Sequence, residues 1–175
     1  TNYSVRCWGS GTTGQLGFAN VTAVGNGVGP SVASIGSVPV GAPVAKVSCG
    51  TRHACAVLQT GGVRCWGEGL FLGHGNDRQV DGPQIDITGD VPVGAPVSDV
   101  VIGGDHTCAL LRSGSVRCWG SGLFGRLGYN STDGVANVVG DVSIQQAGSI
   151  SDLPGVLQIS AHSAGAHTCA LLDSN

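Results

Sequence analysis

Three copies of one short motif constrain the fold of this chain more than any other feature. The motif Val-Arg-Cys-Trp-Gly occurs at 5–9, 63–67 and 116–120. Each copy is accompanied by a His-x-Cys, whose histidines are His53, His106 and His167. The tryptophans lie 58 and 53 residues apart, and the histidines 53 and 61. These intervals are long for a solenoid coil and suit a small sheet of several strands per repeat, so the sequence predicts stacked sheet units.

The composition is typical of an all-β protein with many tight turns. Among 175 residues there are 31 Gly and 7 Pro, and only 11% are charged. No stretch keeps apolar residues at helical spacing without a Gly or Pro interrupting it. The formal charge of -3 supplies no basic face for nucleic acid or an anionic membrane surface. No apolar run approaches the roughly 20 residues that a membrane span needs. We therefore expect no nucleic-acid partner and no membrane span.

Two segments are predicted to fold into hairpins that bring cysteines together. Arg-Ser-Gly and Gln-Thr-Gly, centred on Ser113 and Thr60, place Gly where a three-residue hairpin loop needs a left-handed backbone. Residues directly opposed in such a hairpin have Cβ atoms about 4.5 to 5.5 Å apart, close enough for a bridge. The predicted disulfides are Cys55–Cys65 and Cys108–Cys118. A ten-residue spacing differs from the Cys-x-x-Cys of zinc sites, so the seven cysteines favour disulfides and an exported protein.

Each unit is predicted to hold three or four short strands. The apolar runs that precede the His-x-Cys motifs lie at 43–49, 96–102 and 155–160. A glycine-spaced segment follows each Trp-Gly, and the variable loops after it lie at 18–38, 74–91 and 129–154. The whole chain, 1–175, is predicted to be one repeat domain. Its units are approximately 1–58, 59–111 and 112–175.

With these residues in place, the repeats resemble the regulator of chromosome condensation family. Its units read Trp-Gly-x-Gly-x-x-Gly-x-Leu-Gly, a loop, Pro-x-x-Val, and then Val-x-x-x-Gly-x-x-His-x-x-x-Leu. The similarity runs from Val5 to Leu172, with departures at 69–73 and near 162–163. It implies a β-propeller of seven four-stranded blades, here of the secreted bacterial type with disulfide-stapled hairpins. Family members act as nucleotide-exchange factors, protein-binding modules or β-lactamase inhibitors, and no sequence feature here marks the exchange-factor or inhibitor surface.

The residues that recur once per unit have both structural and functional interpretations. The three histidines are expected to hydrogen-bond a neighbouring blade; a His/Cys metal site is the alternative, but a disulfide-bonded cysteine cannot ligate. Trp8, Trp66 and Trp119 are expected to pack between blades, with stacking on a sugar as the alternative. The arginines before each Cys-Trp are expected to cover inter-blade seams, with an anion-binding ring as the alternative. They are Arg6, Arg64 and Arg117.

The remaining sites concern surface and catalysis. Sequons for glycosylation begin at Asn2, Asn20 and Asn130, which predicts surface loops first and attached sugar only in a host that glycosylates. The acidic residues are scattered, and no nucleophile elbow, phosphate loop or His-Glu-x-x-His motif occurs. We therefore expect no enzyme, no cofactor and no bound metal.

The two ends of the chain resemble halves of one hairpin. Residues 1–9 carry Cys7 without an upstream partner, and 165–175 carry Cys169 without a downstream one. Cys49, aligned with Ile102, is the odd cysteine and is expected to be a buried free thiol. Three units are fewer than the roughly four to eight blades of a closed propeller, so one chain should form an incomplete ring.

Two functions remain open for such a chain. One is a secreted or cell-surface structural protein that assembles head to tail into a ring or filament, locked by a Cys169 to Cys7 bridge between copies. The alternative is a fragment of a longer secreted propeller that binds or inhibits a protein partner on its variable loops. Both are non-catalytic, and the expected partner is either a second copy or another protein.

Overall fold

Short antiparallel strands build nearly all of the regular structure of this protein. The computed structural model describes residues 3–19, 22–138 and 140–173. The strands are β1 (Gly9–Ser10), β2 (Ala23–Val24), β3 (Val44–Cys49), β4 (His53–Leu58), β5 (Val63–Gly67), β6 (Val97–Ile102), β7 (His106–Leu111), β8 (Val116–Gly120), β9 (Val156–Ala161) and β10 (Thr168–Leu172). The helices are α1 (Gln84–Thr88), α2 (Ile144–Ala147) and two 3-10 turns, Gly69–Phe71 and Leu123–Gly125. Within the described ranges, no helix is both long and apolar enough to cross a bilayer.

Two complete blades occupy the middle of the chain. β3-β4-β5 and β6-β7-β8 are antiparallel sheets with sequential strand order, and β9-β10 begins a third blade. The last part of each of these two variable loops returns to the outer strand of the blade: Val91 N donates to Val63 O at 2.7 Å, and Ile150 N to Val116 O at 2.9 Å. The fold is therefore the predicted all-β arrangement of propeller blades. Among the described residues the blades do not close into a ring.

The hairpin turns set the register of each blade. Gly61 has φ +96° and Gly114 φ +81°, the left-handed backbone that favours glycine in this loop position. Leu58 N donates to Gly62 O at 2.8 Å across the first turn. The resulting register pairs Cys55 with Cys65 and Cys108 with Cys118, as the sequence predicts. The predicted unit boundaries at 58/59 and 111/112 fall in these turns, so one blade combines residues from two sequence units; the boundaries themselves stay a prediction.

The core lies where strands of neighbouring blades face one another. Every residue of β4 and β7 is buried, and β6 packs against β3 on one side and β9 on the other. β10 has the same sequence pattern as β7, yet all five of its residues are exposed or only half-buried. The difference arises because β7 lies between β6 and β8, whereas β9 is the only strand that pairs with β10 in the described part of the chain.

The two α-helices lie inside variable loops and were not predicted. α2 begins with a capping box, in which Ser143 accepts from Gln146 N and the Gln146 side chain accepts from Ser143 N. α1 begins after Pro83, whose backbone already has helical dihedral angles. Each helix buries one isoleucine, Ile144 or Ile85, against the blade edge. The Ser-x-x-Gln signal was present in the sequence, but four or five residues are too short to show helical periodicity.

Candidate functional site

Two disulfides staple the complete blades. The structure contains the predicted bonds Cys55–Cys65 and Cys108–Cys118, each closing a separation of 10 residues. All four cysteines are at most 2% exposed. Each bond joins the middle strand of a blade to the next strand out, so it fixes the hairpin whose side chains contact the neighbouring blade.

A chain of hydrogen bonds crosses the seam between the two complete blades. His53 Nε2 lies 2.8 Å from Thr107 Oγ1, and Thr107 Oγ1 donates to Phe71 O at 3.4 Å. Since the threonine hydroxyl donates its single proton to the carbonyl, His53 must donate from Nε2. Trp119 Nε1 donates to the same Phe71 oxygen at 3.1 Å. One main-chain carbonyl of the first blade thus accepts two donors from the second blade.

The next seam repeats part of this arrangement. His106 Nε2 lies 2.7 Å from Thr168 Oγ1, which donates to Arg126 O at 3.3 Å. The threonine between His and Cys in the second and third copies was not singled out from the sequence. A signal did exist, because the residue after the histidine is threonine in two of three copies, and alternation places it on the face opposite the disulfide.

Burial keeps both seam histidines neutral. Burial lowers the pKa of His53 to about 3, and the Arg52 and His106 charges add to the shift. Burial also lowers the pKa of His106 to about 4, followed by the charge of Arg126. Both Nδ1 atoms are buried without a hydrogen-bond partner. Among residues 3–19, 22–138 and 140–173, no three His, Cys, Asp or Glu side chains cluster as they would around a metal ion.

The tryptophans differ sharply although their motifs are identical. Trp66 and Trp119 are 0% exposed, whereas Trp8 is 66% exposed. Trp66 Nε1 donates to Gln15 O at 3.0 Å, and its ring lies against Gly17, where a Cβ would come within 3.0 Å of Nε1. Two tryptophans therefore pack between blades, and the third lies at an open end.

The arginines of the repeated motif bind main-chain carbonyls. Arg117 Nη1 donates to Val93 O at 2.5 Å, and Arg64 Nη1 donates to Val40 O. Each carbonyl lies a few residues before the first strand of the same blade as its arginine: Val40 precedes β3, and Val93 precedes β6. Arg6 Nη1 donates to Val32 O at 3.0 Å in the first variable loop. Because each guanidinium group donates to a different main-chain carbonyl, the three arginines do not converge on a shared anion site.

An ion-pair network that sequence reasoning missed links the blades on one face. Asp105 accepts from Arg52 and from Arg126, the latter at 3.1 Å. Arg52 also pairs with Glu68 at 3.2 Å. Partial burial raises the pKa of Asp105, but hydrogen bonds from Arg126 and Arg52 outweigh it and lower the pKa overall. These residues come from different units and carry no shared motif, so only the fold brings them together.

The successive blades form an open arc, and each end of this arc has a cavity and at least one free cysteine. A cavity of about 390 Å³ at the N-terminal end is lined by Cys7, Trp8, Cys49, His53 and Ala54. Cys7 is buried, and burial together with the Cys49 charge raises its pKa to about 12. Cys169 at the other end is exposed.

The expectation that Cys49 is buried is wrong, since the structure exposes it. Ile102, its counterpart in the next blade, is 2% exposed because it packs against Gly50 of the preceding blade. Cys49 would face a blade that precedes it, and no such complete blade lies within the described residues. Burial of the remaining surface still raises the pKa of its thiol.

The glycosylation sequons are only partly covered. Asn130 is exposed in the third variable loop and has φ +57°. Asn2 and Asn20 lie outside the described residues. Modification of these asparagines stays a prediction.

Comparison with known proteins gives matches over most of this chain. The regulator of chromosome condensation (RCC1) repeat profile matches residues 44–71 and 97–126. The human E3 ubiquitin-protein ligase HERC2 is 33% identical over 135 residues, which is 74% of this chain and 3% of HERC2. This chain therefore spans a small part of that relative.

Solved structures show the same fold. Human WBSCR16 superposes with a TM-score of 0.63 at 20% identity, covering 95% of this chain and 39% of that one. Yeast RCC1 (Prp20), solved bound to Kap60, also gives a TM-score of 0.63 at 16% identity, covering 90% of this chain and 36% of that one.

Proposed function

Since this chain is an RCC1-like β-propeller repeat protein, we propose that it is a non-catalytic, extracellular interaction scaffold whose open ends join a second copy head to tail. The joint would complete one blade from two chains and could close into a ring or continue as a filament. The proposed binding partner is thus a protein, and the main one is a second copy of this chain.

Protein binding fits what is known of similar molecules. Yeast RCC1 was solved in complex with Kap60, so a protein that contains this fold does bind another protein. HERC2 is named a ligase, but this chain matches only 3% of its length, and we do not extend ligase activity to it. The seam geometry uses its histidines and threonines to hold blades together.

Self-assembly is supported mainly by the difference in exposure between β10 and the equivalent strands β4 and β7. Leu171 is 58% exposed, whereas the equivalent Leu110 and Val57 are 7% and 3% exposed. Those two are covered by Val116 and Val63 of the outer strand of their own blades. The chain carries one more copy of the outer-strand sequence, at 5–9, and among the described residues no middle strand pairs with it.

The internal register defines how the two halves would pair. In the complete blades, Cys pairs with Cys, and the residue before it pairs with Trp. Applied to the ends, this register puts Cys169 of one copy opposite Cys7 of the next and Thr168 opposite Trp8. Both cysteines are free in the single chain. An intermolecular disulfide would then lock the joint, and three stapled hairpins favour an oxidising compartment, hence an extracellular location.

A second candidate function follows from the size of the solved relatives. This chain spans 39% of WBSCR16 and 36% of yeast RCC1, so the open ends could instead contact further repeats of a longer propeller. In that case the variable loops would present the surface for another protein.

Sedimentation velocity and negative-stain electron microscopy of the oxidised chain test self-assembly. We expect concentration-dependent species larger than the monomer. Leu171→Asp should remain monomeric, because it would bury a carboxylate opposite Val5 of the next copy without a partner. Ile87→Asp, an exposed position on α1 with 81% exposure, is the matched control and should assemble like the unmodified chain. A purely monomeric unmodified chain would overturn self-assembly and favour the longer propeller.

A further inference from the structure

We propose that the cavity at the C-terminal end of the arc is a binding site for an indole side chain, and that its occupant is Trp8 of a second copy. This inference rests on the proposed head-to-tail function and assigns the residue that enters the joint. It also commits the cavity to one chemical class of occupant, an indole that donates a hydrogen bond.

The cavity is preformed. It has a volume of about 380 Å³ and lies between the glycine-spaced turn after β8 and the exposed side of β10. Its lining includes Arg126, Leu127, Gly128, Ile150, Ile159 and Thr168. Apolar walls with a few polar groups are typical of pockets that take an aromatic group.

The same position is filled by an indole at both complete seams. Trp66 lies against Gly17, and Trp119 against Gly73, where a Cβ would come within 2.8 Å of Trp119 Nε1. Gly128 is the third member of this set and has φ +78°, close to +75° at Gly17. The three atoms nearest to a Cβ at Gly128 all belong to Ile150, and none of them belongs to an indole.

The hydrogen bonds at the cavity leave one acceptor position open. Phe71 O accepts from Thr107 and from Trp119, which uses both lone pairs of the carbonyl. Arg126 O, the equivalent atom, accepts from Thr168 at 3.3 Å. In the described part of the chain no indole N–H reaches Arg126 O. An incoming indole would supply the second donor.

Trp8 is available to supply that donor. Trp8 directly precedes β1, and one backbone contact of the buried copies is already present in its segment, since Val38 N donates to Val5 O at 2.8 Å as Val91 N does to Val63 O at 2.7 Å. Trp8 is nevertheless 66% exposed, whereas both of its copies are buried at seams. Its indole is therefore free to enter the equivalent position of a second copy.

A peptide that copies residues 3–10 with Cys7→Ser tests the site without requiring self-assembly. The host is the full-length chain carrying Trp8→Ala, so that its own N-terminal strand cannot compete, and binding is measured by calorimetry. We expect the peptide to bind, and a second peptide that also carries Trp8→Ala to bind at least about 100-fold more weakly, because the buried aromatic area is lost. Trp8→Phe in the peptide should cost about tenfold, since it loses only the hydrogen bond and part of the area.

Two variants of the host separate cavity blockage from backbone strain. Gly128→Ala puts a methyl group where the equivalent positions contact an indole, and should abolish peptide binding. Gly27→Ala is the matched control: its φ of +82° is close to the +78° of Gly128, but nothing lies within 4 Å of the added Cβ. Circular dichroism of both variants verifies folding.

The outcomes distinguish this inference from the proposed function. Equal binding of the peptides with and without the indole would overturn the indole site. A chain that assembles equally well with Trp8→Ala would keep head-to-tail assembly and reject Trp8 as the occupant. Peptide binding by the Trp8→Ala host, together with an unmodified chain that stays monomeric, would uphold the indole site and overturn self-assembly.

Discussion

Replacing each of two tryptophans by alanine should have very different effects on the stability of the monomer. Trp119 is 0% exposed and Trp8 is 66% exposed, although both belong to the same Val-Arg-Cys-Trp-Gly motif. A purely sequence-based expectation would give both positions the same packing role. In the structure of the single chain, Trp119 packs between blades and Trp8 does not.

The magnitudes follow from the area that each ring buries. A buried tryptophan removes about 150 to 250 Å² from water, and at about 25 cal/mol per Å² this corresponds to about 4 to 6 kcal/mol. That figure is an upper bound, and replacement of buried Trp by Ala costs about 3 to 5 kcal/mol. We therefore expect Trp119→Ala to lower the free energy of unfolding by about 4 kcal/mol, including its hydrogen bond to Phe71 O. Trp8 keeps about a third of its surface in contact, so Trp8→Ala should cost about 1 kcal/mol.

Urea denaturation of the oxidised chain, followed by circular dichroism, measures both values. The protein concentration is kept low enough that sedimentation shows only monomer, because assembly would add stability to the unmodified chain. Ile87→Ala serves as an exposed apolar control and should change stability by less than about 0.5 kcal/mol. If Trp8→Ala costs as much as Trp119→Ala in the monomer, the N-terminal end is not open and the reasoning fails.

Further predictions concern protonation, the staples and the free thiols. The pKa values of His53 and His106 in the folded chain lie below the ordinary 6.5, so in acid the unfolded chain binds more protons than the folded chain. Above pH 6.5 the two histidines therefore cause no loss of stability. Below it, the free energy of unfolding should fall by about 1.4 kcal/mol per pH unit per histidine toward pH 4. His53→Gln should reduce that slope in pH-dependent urea titrations, and an unchanged slope would contradict the assignment. Replacing Cys55 and Cys65 together by serine should cost somewhat less than about 3 kcal/mol, measured by urea denaturation against the intact chain. Because the pKa of Cys7 is raised to about 12, its alkylation by iodoacetamide at pH 8 should be much slower than that of an unperturbed thiol, as mass spectrometry would show; rapid labelling of Cys7 would refute its burial.

The repeated hairpins were predictable from the sequence because the same motif and the same spacing occur more than once in the chain. Two hairpins with the same ten-residue cysteine spacing gave one register, and the observed pairing of Cys55 with Cys65 follows it. The Gly at the third turn position explains why the register holds, since Gly61 has φ +96° there. Local turn chemistry and alternation decide these features, and both can be read in a short window of sequence.

The features that were missed depend on contacts between blades. Thr107 and Thr168 carry the seam hydrogen bonds, but their role exists only when one blade lies beside the next. Cys49 was expected to be buried by analogy with Ile102, and it is exposed because the described residues before it do not form a complete blade. Aligned positions share a backbone environment, whereas burial depends on what occupies the neighbouring position in space.

Mass spectrometry of an isotope-mixed sample tests the joint most directly. Unlabelled and ¹⁵N-labelled chains are mixed in equal amounts, reduced, and reoxidised together before the measurement. The account predicts a disulfide-linked peptide pair containing Cys7 and Cys169, with the two halves carrying different isotopes in about half of the pairs, as random pairing between copies requires. Pairs of uniform isotope composition would show that the bridge forms within one chain. Thiols that stay free at both positions in an assembled, oxidised sample would contradict the proposed joint.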